Sequence, residues 1–327
     1  MVRLIKLVCI LAFILFSSCK KDSSFTLVLL PDTQNYSMNH PDIFYSQTSW
    51  IADHSKEIAF VLQLGDLTEH NTEVEWEIAD SAFSLLDGKV PYALTLGNHD
   101  LGDNGRTNTR NSDLFNRFFP YEKYKKADSL KGTFEIGRMD NVWHTFRAGG
   151  INWLVLSLEF GPRDNVLAWA AGVIENHPKH KVIINTHAYM YSDDTRMGEG
   201  KGHKWLPQTY EIGKNSASGE VNDGEQMWEK LVKKHANILF VFSGHVLNDG
   251  TGFLVSEGEH GNKVYQMLVN YQWGVEGSKN GGNGFLRMIT IDTNEGAFSV
   301  KSYSPYLDQY KTEKDQQFVI EDVVFKY

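Results

Sequence analysis

The stretch TLGNHDLG (95–102) follows an apolar, β-prone run, VPYALTL (90–96). A strand there ends on an amide, an imidazole and a carboxylate in succession, with glycines on either side. Asn98, His99 and Asp100 taken alone would fit a surface turn. The arrangement recurs, and the recurrence decides the reading. FTLVLL (25–30) leads into PDTQ with Asp32 and Gln34, and IAFVLQL (58–64) leads into GDLTEH with Asp66. KVIINT (181–186) runs into His187, and NILFVFS (237–243) into Gly244 and His245. Segments 42–57, 73–88, 164–178 and 224–236 carry apolar residues at i, i+3, i+4 spacing, the pattern of amphipathic helices. Strands alternating with helices, the strands almost continuously apolar, specify an α/β layered fold with buried strands. Ligands of such sheets bind outside the carboxyl ends of the strands. Asp32, Asp66, Asn98, His187 and His245 are therefore expected at one rim.

From residue 264 the texture changes to strand-like runs separated by Gly, Asn and Asp turns, expected as an antiparallel meander forming a second sheet beside the first. No Pro- or Ser-rich linker interrupts the chain, so residues 24–327 are expected to form one domain. The Gly-, Ser- and Asp-rich stretch 190–223 is long for a connection inside a compact domain and is expected to border the site.

The N-terminus reads differently. MVRLIK carries two positive charges, LVCILAFILF is a ten-residue apolar run, and SSC follows. That is the architecture of an export signal, and the run is shorter than the roughly 20 residues needed to span a bilayer. Its end resembles a bacterial lipoprotein box, with Phe16 where Leu is usual. This implies cleavage after residue 18, lipid attachment at Cys19 and a polar tether over 19–23. The expected location is the bacterial cell envelope, anchored to membrane. Both cysteines, Cys9 and Cys19, lie in this region, so the body has no disulfide framework and no cysteine metal site.

The chain carries a formal charge of −9, and without the two cations Arg3 and Lys6 the body is near −11. An acidic body with no run of Lys or Arg argues against a nucleic-acid polymer as partner, because phosphate neutralisation drives that binding. Small or compact phosphorylated substrates stay open, since bound metal ions reverse the local field.

Carboxylates, imidazoles and an amide oxygen converging on one rim suit divalent ions. Two such ions about 3.5–4 Å apart clamp the attacking and leaving oxygens at a phosphoryl centre and bring the pKa of a bound water toward neutrality. The series D-x-Q, GD, GNHD, TH, GH, from Asp32 to His245, resembles the calcineurin-like metallophosphoesterase family. The resemblance implies an α/β fold of two packed mixed β-sheets flanked by helices in four layers. It implies hydrolysis of phosphate monoesters or diesters at a di-metal site holding Mn, Mg, Fe or Zn. Asp66 would bridge two ions; Asn98, His187 and His245 would complete one site, and Asp32 with Gln34 the other. His99 would face the substrate, oriented by Asp100. Tyr36 and Tyr189 follow the motifs and are the candidates for substrate binding, with Tyr191 and Trp273 beside them.

Two departures stand out. The family's first motif is commonly D-x-H, where Gln34 stands here, and its last is commonly G-H-x-H, where Leu247 stands here. Both missing imidazoles belong to the Asp32 site. That site is expected to bind metal more weakly and to prefer hard cations, with Asn248 and Asp249 as candidate substitutes for Leu247. A competing expectation follows: a surface lipoprotein that binds a phosphorylated ligand through a single retained metal, with little hydrolysis.

Overall fold

The computed structural model of the protein describes residues 23–214 and 216–325. The signal and lipid-attachment expectations fall on residues 1–22, outside the described residues. Among the described residues, no helix is long and apolar enough to cross a membrane.

Two seven-stranded mixed sheets pack face to face. The first contains β1 (Ser24–Leu30), β2 (Ile58–Gln63) and β3 (Tyr92–Ala93), all parallel. The second contains β4 (Leu130–Thr133), β5 (Val142–Ala148), β6 (Ile151–Leu158), β7 (His180–Thr186), β8 (Ile238–Ser243), β9 (Thr251–Glu257) and β10 (Lys263–Val269). Within it β6, β7, β8 and β10 run parallel. The strands β11 (Leu286–Asp292), β12 (Ala297–Ser304), β13 (Gln309–Lys311) and β14 (Gln317–Ile320) complete the first sheet.

The helices are α1 (Gln34–Asn39), α2 (Pro41–Asp53), α3 (Glu73–Ser84), α4 (Asp113–Phe118), α5 (Tyr121–Tyr124), α6 (Asp164–Glu175) and α7 (Gly224–Lys230). Two of their starts are chemically marked. Thr72 and Asp223 each close a capping box, with Glu75 and Gln226 respectively, at the heads of α3 and α7.

The period-2 alternation of side chains explains why the strands read as unbroken apolar runs. Leu27 and Leu29 of β1 point between the sheets, where they meet Phe60, Trp153, Phe240 and Ile289. Val28 and Leu30 of the same strand point outward and pack with Ile43, Phe44, Trp76 and Phe83 of the helices. β1 thus fills two apolar layers.

The expectation for the C-terminal strands is corrected. They do not form a separate sheet: β11 pairs antiparallel with β1, and β10 inserts beside β8. The parallel strands are instead divided between the two sheets. The consequence for the rim is that β1, β2 and β3 end against the ends of β7, β8 and β10.

His144 on β5 is buried, and neither ring nitrogen has a hydrogen-bond partner. It lines a cavity of about 690 Å³ together with Tyr92, Tyr124 and Phe146, beside the opening residues of β3 and away from the site described below. Burial keeps the imidazole neutral, lowering its pKa to about 3. An unfolded histidine takes up a proton near 6.5. Below that pH the unfolded chain binds a proton that the folded chain refuses, so stability falls as pH drops from about 6.5 toward 3. His144→Leu is expected to raise stability by about 1–2 kcal/mol at neutral pH, because it removes buried unpaired polar atoms. Urea midpoints at pH 7 and pH 5 check this: the gap between variant and parent should widen at pH 5, and an unchanged gap contradicts the reading.

Candidate metal centre

Four side chains from both sheets converge at the rim. Asp66 follows β2, Asn98 follows β3, His187 follows β7 and His245 follows β8. His187 Nε2 lies 3.2 Å from Asp66 Oδ2, 3.2 Å from Asn98 Oδ1 and 3.1 Å from His245 Nδ1. The ligating atoms of Asp66, His187 and His245 all lie within 4.8 Å of one another. All four residues are buried.

The other nitrogen of each ring is committed. His187 Nδ1 donates to the Leu64 carbonyl at 2.7 Å, and His245 Nε2 donates to the Trp205 carbonyl at 2.7 Å. Were both rings neutral, each would turn a bare lone pair toward the other, and His187 Nε2 also faces the oxygens of Asp66 and Asn98. Lone pairs gathered this closely in a dry site repel unless a proton or a cation lies among them. The neighbouring carboxylates supply the pull for such a proton. Burial opposes charge on His187, but Asp66 and Asp32 overcome it and raise its pKa to about 9. Burial and the neighbouring His187 lower His245 to about 3. One proton serves the pair, in the place where a divalent ion fits. Two imidazoles, a carboxylate and an amide oxygen suit Zn²⁺, Fe²⁺ or Mn²⁺. One such ion would also balance the two buried carboxylates, Asp66 and Asp32.

Backbone strain accompanies the donors. Asp32, Asp66 and His245 have φ of 44°, 54° and 77°, and Trp205, whose carbonyl orients His245, has φ of 60°. Non-glycine residues held there cost about 1–3 kcal/mol each and collect at functional sites. Two glycines admit the donors. A Cβ on Gly65, itself at φ +96°, would collide with the His187 ring at Nδ1, and one on Gly244 would collide with Asp32 Oδ2. The Gly of GD and the Gly of GH are thus required by close approach.

Asp32 is buried beside this cluster and accepts from the His245 backbone N–H at 3.1 Å and from Gln272 Nε2 at 3.0 Å. Burial raises its pKa well above the usual range. Gln34 Nε2 donates to Gln272 Oε1 and, at 3.3 Å, to Asp66 Oδ2, while Gln34 Oε1 is buried without a partner. Leu247 is half-buried, and its neighbours turn away from the cluster. Asn248 donates to Ser192 Oγ, and Asp249 accepts from the Thr251 backbone. Neither replaces the missing imidazole.

His99 lies at the mouth, its side chain 33% exposed. Its Nδ1 donates to the Glu69 carbonyl at 2.8 Å, and its backbone N–H donates to Asp66 Oδ1 at 2.9 Å, which leaves Nε2 open. Burial works against the imidazolium, but Asp66 and Glu69 outweigh it and raise the pKa above the usual value.

Three expectations are corrected here. Asp100 does not orient the His99 ring; it lies beneath the rim and accepts from the backbone N–H groups of Leu67, Thr68 and Gly97. It ties the Asp66 loop to the Asn98 loop, and the Glu69 carbonyl takes the orienting role. Tyr36 and Tyr189 are core residues: the Tyr36 hydroxyl accepts from the Gly284 backbone, and the Tyr189 hydroxyl donates to Gln266. Tyr191 stacks on His203 with ring centroids 4.0 Å apart. Trp273, by contrast, is 75% exposed.

The sequence reading missed Gln272 and the carbonyls of Glu69 and Trp205. A signal for Gln272 existed, since β10 is one more apolar run ending on a polar side chain at the same rim. The 190–223 stretch borders the site as expected, through Trp205 and through Tyr210, whose ring centroid lies 6.0 Å from that of His245. Glu159, after β6, is held by Arg163 at 2.8 Å and by Asn141 at 3.1 Å, which makes it an anchor for the loops.

Such a fold with such a rim defines a class of metal-centred phosphoesterase scaffolds. The calcineurin-like phosphoesterase family matches residues 25–249, and the chain belongs to that family. It is 28% identical over 295 residues to the uncharacterized protein YvnB of Bacillus subtilis (strain 168), covering 86% of this chain and 20% of YvnB. Among solved structures it is similar to purple acid phosphatase PPD1 from yellow lupin (Lupinus luteus) seeds, with a TM-score of 0.55 and 11% identity over 92% of this chain and 54% of that one. A 5′-nucleotidase precursor from Thermus thermophilus aligns with a TM-score of 0.46 and 12% identity, over 91% of this chain and 56% of that one. The chain thus spans about a fifth of YvnB and about half of each solved structure. The likeness to the lupin phosphatase is one of fold.

Proposed function

We propose that the protein hydrolyses phosphate esters of small or compact substrates at a centre of two divalent ions. The observation that carries this reading is the convergence of Asp66 Oδ2, Asn98 Oδ1 and His245 Nδ1 on His187 Nε2, at 3.2, 3.2 and 3.1 Å in a buried site. When bound, the ions would supply Lewis-acid polarisation of the phosphate and activation of the attacking water. The chain's own residues do the rest. The Leu64 and Trp205 carbonyls fix the tautomers of His187 and His245, so that each presents its bare nitrogen. Asp66 stands between the imidazole side and the Asp32 side. His99 holds Nε2 toward the opening, placed to stabilise the phosphate or to give a proton to the leaving oxygen. Family membership adds to the reading. The competing reading, a ligand-binding protein with one metal and little turnover, draws on the hydrogen bond that Gln34 donates to Gln272.

Hydrolysis of one generic monoester and one generic diester tests the proposal. The protein is stripped with chelator and then supplied singly with Mg²⁺, Mn²⁺, Fe²⁺, Zn²⁺ or Ca²⁺. Turnover returning with an ion supports it. No turnover with any ion, from folded protein that still binds one metal equivalent, favours the ligand-binding reading.

We further propose that residues 24–327 act as one exported unit, held at the membrane of a bacterial envelope by lipid on Cys19. The support is the charged, apolar and small-residue order of residues 1–19. An intact-mass measurement on membrane-extracted protein is expected to give a chain beginning at a lipidated Cys19. An unlipidated chain contradicts this.

A further inference from the structure

Gln272 lies past the end of β10, 8% exposed, and its place is tightly fixed. Its backbone N–H donates to Asn270 Oδ1 at 2.9 Å; Asn270 in turn holds the Val246 carbonyl through its side chain and the Gly250 carbonyl through its N–H. The next residue, Trp273, donates its backbone N–H to Asn35 Oδ1 at 2.8 Å. The segment is thus clamped between the loop that carries Asp32 and the loop that carries His245. From there the Gln272 amide reaches Asp32 Oδ1 with its nitrogen and Gln34 Nε2 with its oxygen.

Two amides and two carboxylates are therefore linked in series, Asp32 to Gln272 to Gln34 to Asp66. Gln272 Nε2 is 3.0 Å from Asp32, and Gln34 Nε2 is 3.3 Å from Asp66. The arrangement is incomplete as a hydrogen-bond network, because Gln34 Oε1 is buried with nothing to accept. An amide's oxygen and nitrogen exchange places by a half-turn, with almost no change in shape. Turning the Gln34 amide brings the orphaned oxygen to face Asp66; turning the Gln272 amide brings its oxygen to face Asp32. Each amide oxygen would then face a carboxylate oxygen, Gln272 against Asp32 and Gln34 against Asp66, an arrangement that calls for a cation. Adjacent oxygens on an ion with bonds of about 2.0–2.1 Å sit about 3 Å apart, the spacing these groups already have.

We propose that Gln272 is an oxygen ligand of the second divalent ion, completing with Asp32, Gln34 and the shared Asp66 an all-oxygen site. It stands in from a different strand for the imidazole that Leu247 fails to supply. Carboxylate and amide oxygens select hard cations such as Mg²⁺ or Mn²⁺ over Zn²⁺. The centre is asymmetric: a nitrogen-rich site at His187 and His245 beside an oxygen-only site at Asp32. The oxygen site, with two neutral amides, binds more weakly and is strengthened by a phosphate that shares the ion. The inference rests on the reading that Asp66 lies between two ions.

The test is Mn²⁺ binding by the full chain after metal stripping, with and without saturating inorganic phosphate, read by metal content and by electron paramagnetic resonance. Two ions about 3.5–4 Å apart give an exchange-coupled spectrum unlike that of one isolated Mn²⁺. The expected result is two equivalents with a coupled spectrum in phosphate, and one equivalent displaced by Zn²⁺ far more readily than the other. Gln272→Ala should keep the first equivalent and lose at least tenfold in affinity for the second, together with the coupled spectrum. Gln272→Glu, which keeps the oxygen and adds charge, should bind the second ion at least as tightly as the parent. Gln272→Ala with two ions and unchanged coupling would overturn the proposal. So would a parent protein that takes up one Mn²⁺ even in phosphate, since the amides would then fill the ion's place. Turnover by that single-ion protein would leave the phosphoesterase reading standing while removing this inference.

Discussion

Asp66→Asn is expected to lower phosphate-ester turnover by at least about a thousandfold, roughly 4 kcal/mol of transition-state stabilisation. The reason lies in what Asp66 touches. Its Oδ2 faces His187 Nε2 at 3.2 Å and Gln34 Nε2 at 3.3 Å, and its Oδ1 receives the His99 backbone N–H at 2.9 Å. Burial disfavours its charge, yet His187 and His99 hold its pKa below the usual carboxylate range. The carboxylate is thus kept ionised in a dry site for use by neighbouring cations. The amide preserves the shape and removes the charge, so the fold should persist while metal content falls. Turnover and metal analysis on the same preparation check this. Activity within tenfold of the parent, at full metal content, would show that Asp66 does not lie between the ions.

His99→Ala should have the second largest effect and a different signature. Turnover should fall by about 10²–10⁴, the range for a positioned proton donor or phosphate-stabilising group. Metal content and melting temperature should stay near those of the parent, because the ring points outward and its anchor is the Glu69 carbonyl. Separate readings of turnover, metal content and melting temperature distinguish this from Asp66→Asn. A parallel loss of metal would place His99 among the ligands instead of facing the substrate. Unchanged turnover would leave the open Nε2 without a role.

The strand-end donors were legible in the sequence because their local rules agree. An apolar run, then a glycine that allows close packing, then a donor, is a short-range pattern at Asp66, Asn98 and His245. The partition of the strands between two sheets was not legible. Whether β10 pairs with β8 or starts a new sheet depends on contacts with strands far away in sequence, and its own residues suit either. That error hid Gln272, which reaches the Asp32 side only because β10 lies in the sheet of His187 and His245. Asp100 misled for a related reason. Its neighbour His99 faces out, but a carboxylate next in sequence can turn beneath the loop, and the three backbone N–H groups waiting there decide its direction. Tyr36 and Tyr189 follow motif residues in sequence, yet each points into an apolar layer where its hydroxyl finds one fixed partner.

The most direct test of the central claim is an anomalous-scattering map of crystals soaked in Mn²⁺. The account predicts a strong peak in contact with Asp66, Asn98, His187 and His245, absent from Asp66→Asn crystals. Catalytically active crystals with no Mn²⁺ peak between His187 and His245 would contradict it.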